Sequence, residues 1–386
     1  MTSTADVVIV GGGCMGTSVA WHLAKRGLTN AVLLEREPLL GSGSTGRNAG
    51  GVRHQFSSEA NIRLSIESIG LIERFRDEVG ADVDFHQDGY LFLLSTPQAV
   101  ETFRTSAALQ RRLGVEVDWL DAAEAVRLAP GLRADDVIGA TYCAKDGIAD
   151  PNGVTMGFAK AAQALGVTIE KGVEVTGVRM TDGRVSGVET SRGAIETPVV
   201  VNAAGPHARA IGRLAGIDVP VDPYRRHIFI AQRPPTGAWD VPPSHVMVID
   251  FDSTFYFHRE GAGVLFGMGD PHEPSTFDQT VQWDFLERVT PVAARRLPAL
   301  AEAPIAKAWA GLYEMTPDAN PIIGPARGLD GFFLITGFSG HGFQHSPAAG
   351  RVLADVITGY DPAMNLAPFA LERFAGQSAT GERHVV

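Results

Sequence analysis

Two cysteines, Cys14 and Cys143, are all that 386 residues contain, so neither a disulfide framework nor a four-cysteine metal centre can be built. Basic residues are outnumbered, 33 Lys and Arg against 44 Asp and Glu. The resulting net charge of −11 argues against nucleic acid or an anionic membrane surface as the main partner. No apolar run approaches the length that crosses a bilayer, so no membrane insertion is expected. The opening MTSTADVVIVGGG passes almost directly into a strand-like run. It leaves no room for the three regions of a signal peptide, and the expected compartment is the cytoplasm. Internal repeats are lacking too. What is present is 45% hydrophobic residues with 20% charged, enough for one large core or two moderate ones, and two domains are expected.

The clearest local pattern is a βαβ unit: an apolar run Val7 to Val10, a glycine turn, a helical stretch Ser18 to Arg26 and a second run Ala31 to Leu34. Gly11, Gly13 and Gly16 give G-x-G-x-x-G between strand and helix. One glycine serves the tight turn, one the approach to a pyrophosphate, and one the close packing of the helix, whose N-terminal N–H groups face the anion. Glu35 ends the second strand about 20 positions beyond Gly16, where a carboxylate accepts hydrogen bonds from a ribose. Cys14 reads as a small residue within this turn. Helical patterns follow at Asn61 to Glu78 and Pro97 to Leu113, flanking a strand within Asp88 to Ser95. Strands and turns dominate from Pro220 to Trp309, and a last helix is expected from about Pro347 to Thr358.

The βαβ unit alone does not separate NAD from FAD. The segments ERE…GSGSTGRNAGGVRHQF, NAAGPHA, WAGLYEMTPDANPIIGP, GFSGHGFQHSPAAGRVLADVITG and NLAPFALERF do so together. In this order, over essentially the whole chain, they resemble the D-amino-acid oxidase (DAO) superfamily of FAD-dependent oxidoreductases. The closest likeness is to the branch of sarcosine oxidase β subunits, glycine oxidases and dye-linked proline dehydrogenases. The resemblance implies an α/β, two-domain fold: a Rossmann-like FAD-binding domain of discontinuous segments, 1–86, 150–216 and 311–386, with a β-rich antiparallel-sheet substrate domain at 87–149 and 217–310.

For the cofactor, the resemblance implies contacts from Met15 beside the glycine turn and Arg36 beside the acid. Ser44, Thr45, Arg47, Asn48, Ala49 and Gly50 would follow in the first flavin segment, then Val175 in mid-chain and Ala204 and Gly205 in NAAG. Gly340, His341, Gly342, Phe343 and Gln344 complete the set in GHGFQ. FAD is expected to be non-covalent: where tethering members carry cysteine or histidine, this chain has Gly311 and Arg47.

The implied reaction oxidises the C–N bond of an amine next to a carboxylate by hydride transfer to flavin N5, giving an imine that water hydrolyses. By that resemblance Arg53 in GGVRHQF occupies the position that binds the substrate carboxylate in sarcosine oxidases, where a guanidinium can pair bidentately; the alternative is a surface arginine or a flavin-pocket ion pair. Tyr256 and Tyr313 fall at pocket-lining positions. Gln344 replaces a lysine that assists carboxylate binding in sarcosine oxidases, so that binding should be weaker or differently arranged. Leu265 stands where monomeric members place an oxygen-activating lysine, and a dehydrogenase or sluggish oxidase is expected. Arg53, Tyr256, Tyr313 and Gln344 are thus the candidate catalytic residues.

His341 and His345 are spaced i,i+4, but Gly340 and Gly342 disfavour a helix there and no third ligand follows, so no metal is assigned. His54 and His258 are conceivable bases without a supporting pattern. The glycines of GFSGHGFQHSP read as the approach to a helix capped by Ser346 with Pro347 in its first turn, delivering N–H groups to the edge of the flavin.

The expected substrate is a small secondary or N-methylated amino acid or an imino acid, of the sarcosine, dimethylglycine or proline type. Oxygen or another acceptor would take the electrons, and the chain leaves room for a homo- or hetero-oligomer. Two alternatives stand beside this: a D-amino-acid or glycine-type oxidase or dehydrogenase, and a flavin-bearing subunit or assembly factor of a larger electron-transfer complex.

Overall fold

The computed structural model of the chain describes residues 3–375 and 381–385. Its N-terminal βαβ unit forms as the pattern requires: strands Val7–Val10 and Ala31–Glu35 lie side by side and parallel, joined by the helix Cys14–Lys25. They centre a six-stranded sheet ordered Ile322–Pro325, Phe332–Thr336, Val200–Asn202, Val7–Val10, Ala31–Glu35, Thr168–Lys171, parallel except for the first pair. Both faces are covered, which is why the strands read as continuous apolar runs. Val7 and Ile9 point to the helices Cys14–Lys25, Pro151–Ala164 and Gly342–Thr358. Val8 and Val10 point to a three-stranded antiparallel sheet spanning Val175–Glu196.

The second layer is an eight-stranded sheet ordered Ile305–Met315, Asp222–Ala231, Gly263–Met268, Phe255–Glu260, Met247–Asp250, Tyr90–Leu94, Gly139–Cys143, Asp118–Leu120. All neighbours are antiparallel except Met247–Asp250 with Tyr90–Leu94. Because side chains alternate along each strand, one face presents Leu91, Leu93, Phe229, Val248, Phe255, Phe257 and Phe266. That face packs against the helix Trp283–Arg296 through Phe285, Val289 and Ala293. The opposite face is turned to the site described below.

Expected and observed elements differ in two places. The boundary placed between 310 and 311 falls inside the strand Ile305–Met315, whose whole length pairs with Asp222–Ala231. The chain re-enters the six-stranded sheet only after Met315. The last helix starts at Gly342, not near Pro347, so His341 is its N-cap residue, Ser346 caps nothing, and Pro347 lies inside. Proline is tolerated there because the carbonyl it cannot serve, that of Phe343, accepts a hydrogen bond of 2.8 Å from Ser346 Oγ. Among the described residues no helix is long and apolar enough to cross a membrane.

A buried ion pair ties the eight-stranded sheet to its covering helix. Arg296 is fully buried and donates to Asp250 Oδ2 from Nη2 at 2.9 Å, to Asp136 Oδ1 at 2.7 Å and to the Arg133 carbonyl at 2.9 Å. Removing the arginine leaves the Asp250 carboxylate, which is only 1% exposed, with the longer 3.5 Å contact to Arg295 Nη2 as its remaining ion pair. Arg296→Ala should therefore cost about 3–5 kcal/mol, read as a lowered urea midpoint; an unchanged midpoint would refute the assignment.

Candidate active site

A cavity of about 750 Å³ runs between the two sheets, within the size range of ligand sites. One end is built by the glycine turn. Gly11 has φ of +113°, and a Cβ there would lie 2.4 Å from the Ala203 carbonyl oxygen. A Cβ on Gly16 would lie 1.9 Å from the oxygen of Gly11, so helix and strand could not approach so closely with any other residue. Glu35 lines the cavity, its carboxylate fixed by Gly12 N at 2.7 Å and Glu37 N at 2.8 Å. Burial pushes the Cys14 thiol up to about 11, and the Cys14 amide donates to Thr45 Oγ1 at 3.2 Å. Cys14 is thus an inert filler of the turn.

The first flavin segment folds over this end and is fastened to the strand Ile305–Met315. Ser44 Oγ donates to the Leu312 carbonyl at 2.6 Å, Arg47 Nη1 to the Ala310 carbonyl at 2.9 Å, and Trp309 Nε1 to the Arg47 carbonyl at 2.9 Å. Gly311 admits Arg47, whose Cβ would sit 2.9 Å from a Cβ added there. Met15, Arg36, Ser44, Thr45, Arg47, Asn48, Ala49, Val175, Ala204, Gly205 and Gly340 to Gln344 all line the cavity. Gly16 and Gly50 do not. Gly16 is the packing glycine, while Gly50 takes φ of +75° with its amide on Asn48 Oδ1 at 2.6 Å.

The other long wall is the free face of the eight-stranded sheet. Register places Tyr90 beside Met247, Ile249 beside Tyr256, Arg226 beside Gly311 and Tyr224 beside Tyr313. Tyr90, Tyr256 and Tyr313 each lean on a glycine. A Cβ on Gly51 would meet Tyr90 Oη at 1.7 Å, one on Gly267 would meet Tyr256 Oη at 2.4 Å, and one on Gly340 would meet the Tyr313 ring at 2.4 Å. Burial holds all three phenols above their ordinary pKa, so they are neutral donors. Leu265 is not part of the wall. It pairs with Ile230 and His258, is 4% exposed, and does not line the cavity.

Arg53 reaches the cavity, yet its guanidinium is already engaged. Nη1 donates to the Gln55 carbonyl, while Nη2 donates to the His384 carbonyl at 2.5 Å and meets His341 Nε2 at 3.1 Å. Its carbon lies 4.0 Å from the Phe56 ring centre. No edge with two free N–H groups remains, so the bidentate pairing expected of Arg53 is not available in this arrangement. Gln344 Oε1 accepts from the Arg53 amide at 2.8 Å.

The histidines at the start of the helix Gly342–Thr358 hold separate posts. His341 contacts Arg53, and His345 contacts Ser65 Oγ at 2.9 Å, with ring centres 6.4 Å apart. Burial lowers the pKa of both, His345 to about 3. His258 lies between the carbonyls of Arg259 and Ala49, and His54 is bonded to Asp146 at 2.7 Å; neither lines the cavity. The helix Gly342–Thr358 begins at the cavity wall, so Gly342, Phe343 and Gln344 bring its N-terminal N–H groups there.

Among the wall residues that escaped the sequence reading are Tyr90, Arg226 and Glu314. Strand alternation was the available signal for the first two. Glu314 is a lone acid in a strand, half-buried, accepting from Phe338 N at 3.2 Å with Thr336 Oγ1 at 3.5 Å. Burial pushes its carboxyl from 4.5 up to about 7.

The glycine cradle, the ribose-side acid and two helix N-termini fit FAD. A family model described as FAD dependent oxidoreductase (DAO) matches residues 6–356. The chain is 33% identical over 391 residues to the mitochondrial sarcosine dehydrogenase of Homo sapiens. That match covers 97% of this chain but 42% of the relative, so the chain spans less than half of that protein. It is also 33% identical to FAD-dependent oxidoreductase domain-containing protein 1 of Xenopus laevis, over 99% of this chain and 85% of the relative. Among solved structures, L-proline dehydrogenase from P. horikoshii superposes with a TM-score of 0.89 at 34% identity, covering 97% of this chain and 99% of that one.

Glu314 generates a pH prediction. A carboxyl whose pKa is raised on folding holds its proton more tightly in the folded state. Its burial therefore costs nothing below about 4.5, a growing amount as pH rises to about 7, and a constant amount above. Relative to the parent, Glu314→Gln should gain stability across that window, by at most about 3 kcal/mol. The check is the difference in thermal midpoint of the flavin-loaded proteins between pH 4.5 and 8; a pH-independent difference would contradict it.

Proposed function

The chain belongs to the DAO family of FAD-dependent oxidoreductases, and from that premise we propose that it oxidises the C–N bond of a small secondary or N-methylated amino acid. The observation that carries this reading is the sheet-built wall. Tyr90, Ile228, Met247, Ile249, Tyr256 and Tyr313 offer aromatic and aliphatic surface with neutral hydroxyls, and the carboxyl that the wall's strands add, Glu314, is held partly protonated near neutrality by desolvation. An ammonium entering such a chamber loses water and gains at most a partly ionised counter-ion, so the chamber favours the neutral amine that must donate electrons. Alkyl groups on nitrogen add apolar surface that the same wall can cover. The likeness over full length to a proline dehydrogenase, and over nearly all of this chain to a sarcosine dehydrogenase, supports the same substrate class.

Gly11, Gly13, Glu35, Thr45 and the N-terminus of Gly342–Thr358 would hold FAD, which supplies a two-electron acceptor when bound. The protein's part is to orient the substrate against that acceptor, to exclude water and to keep the amine unprotonated. Tyr256 and Tyr313, neutral and seated on glycines, can donate hydrogen bonds to the substrate. Among the described residues no lysine lines the cavity, so no ammonium stands ready to stabilise charge passing to oxygen, which favours an acceptor other than oxygen.

Anaerobic mixing of the flavin-loaded protein with sarcosine, dimethylglycine or L-proline should bleach the flavin band, whereas glycine and D-alanine should act at least tenfold more slowly. Subsequent mixing with air should restore the band slowly. Faster bleaching by glycine or D-alanine would replace the secondary-amine reading, and rapid reoxidation would overturn the preference for another acceptor.

A further inference from the structure

Two arginines stand next to each other on the strand Asp222–Ala231, and alternation sends them to opposite faces. Arg225 is neutralised: it pairs with Glu273 at 2.8 Å and with Asp278 at 2.7 Å. Arg226 faces the cavity and has no acidic partner among the described residues. Its Nη1 donates to the Arg225 carbonyl at 2.9 Å. Its Nε is buried with no hydrogen-bond acceptor, and Nη2 has none among the described residues. The guanidinium lies 5.1 Å from the centre of the Tyr313 ring.

A cation that faces a ligand cavity with one whole donor edge unused is arranged for a planar anion. Arg53 offers no such edge, because the carbonyls of Gln55 and His384 and the ring of His341 take up its terminal nitrogens. We propose that Arg226, through its free Nε–Nη2 edge and with Tyr313 beneath it, receives the substrate carboxylate, while Arg53 shapes the pocket from behind. The assignment rests on the reading that the substrate is an amino acid. It places the carboxylate at the row formed by Arg226, Gly311 and Tyr313, and the amine towards Tyr256.

The test uses the flavin-loaded protein and cyclopentanecarboxylate, a carboxylate without an amine, titrated against the absorbance of the oxidised flavin, so that no turnover is needed. Arg226→Gln should retain stoichiometric FAD and bind the probe about 100-fold more weakly. Arg226→Lys, which keeps the charge but lacks the planar edge, should lose about tenfold. Arg53→Gln should bind it within a few-fold of the parent. In anaerobic reduction, the preference for L-proline over pyrrolidine should collapse in Arg226→Gln alone.

Unchanged probe binding in Arg226→Gln, or in Arg226→Lys should the first variant not fold, overturns the assignment. So does absence of probe binding by the parent protein. Loss of FAD from an otherwise folded Arg226→Gln would make the anion one of the cofactor's and also overturn it. If no amino acid reduces the parent flavin but probe binding still depends on Arg226, the proposed function fails and the anion site stands.

Discussion

The strand Ile305–Met315 is the seam on which the site depends. Along one edge it pairs with Asp222–Ala231 for its full length, and so belongs to the eight-stranded sheet. Its other contacts belong to the opposite layer: Ser44 and Arg47 bond its carbonyls, Trp309 bonds back to Arg47, and the amides of Phe338 and Ser339 bond to Glu314. These bonds fix the glycine-turn end of the cavity relative to the tyrosine wall. Gly311 and Gly340 are the steric conditions for it, since a side-chain carbon at either would collide with Arg47 or Tyr313.

Polar groups in and behind the cavity are divided by a common physical rule: a buried charge must be matched or suppressed. Arg225 and Arg296 are matched by acids. Arg53 is matched by carbonyl dipoles and two aromatic faces, with Glu382 near enough to favour its charge. The C-terminal segment completes this arrangement, because Glu382 is gripped by Ser57, Ser58 and Asn61, and His384 stacks on Phe103 at 4.0 Å. Glu314 is suppressed by desolvation, sharing its proton with solution near neutrality. Arg226 alone among these lacks a match, which is the pattern of a group whose partner arrives as a ligand.

Much of the cofactor end was legible in sequence because local sterics decide it. Gly11 and Gly16 are required by a turn and a helix only a few residues apart, and the apolar runs around them are long enough to define strands. The helix Gly342–Thr358 was misjudged by five residues for an equally local reason: two glycines and a proline argue against helix, but Ser346 supplies the hydrogen bond that Pro347 removes, and the N-terminal turn packs against the cavity. The role expected of Arg53 came from position in a motif. A motif does not say which carbonyls will surround a guanidinium, and the residue that seals Arg53, His384, is 331 positions away.

By itself the sequence determined the dinucleotide-type βαβ unit, which follows from spacing and periodicity within short windows, while the resemblance of five ordered motifs supplied the FAD-dependent family and the two-domain fold. Only the tertiary structure decided which polar groups remain free. Whether an arginine is matched, a tyrosine seated or a carboxyl desolvated depends on contacts between strands that are far apart in the chain. Arg225 and Arg226, adjacent and chemically identical, show the reason: alternation assigns them to opposite faces, and the neighbours waiting on each face give one of them acids and the other a cavity.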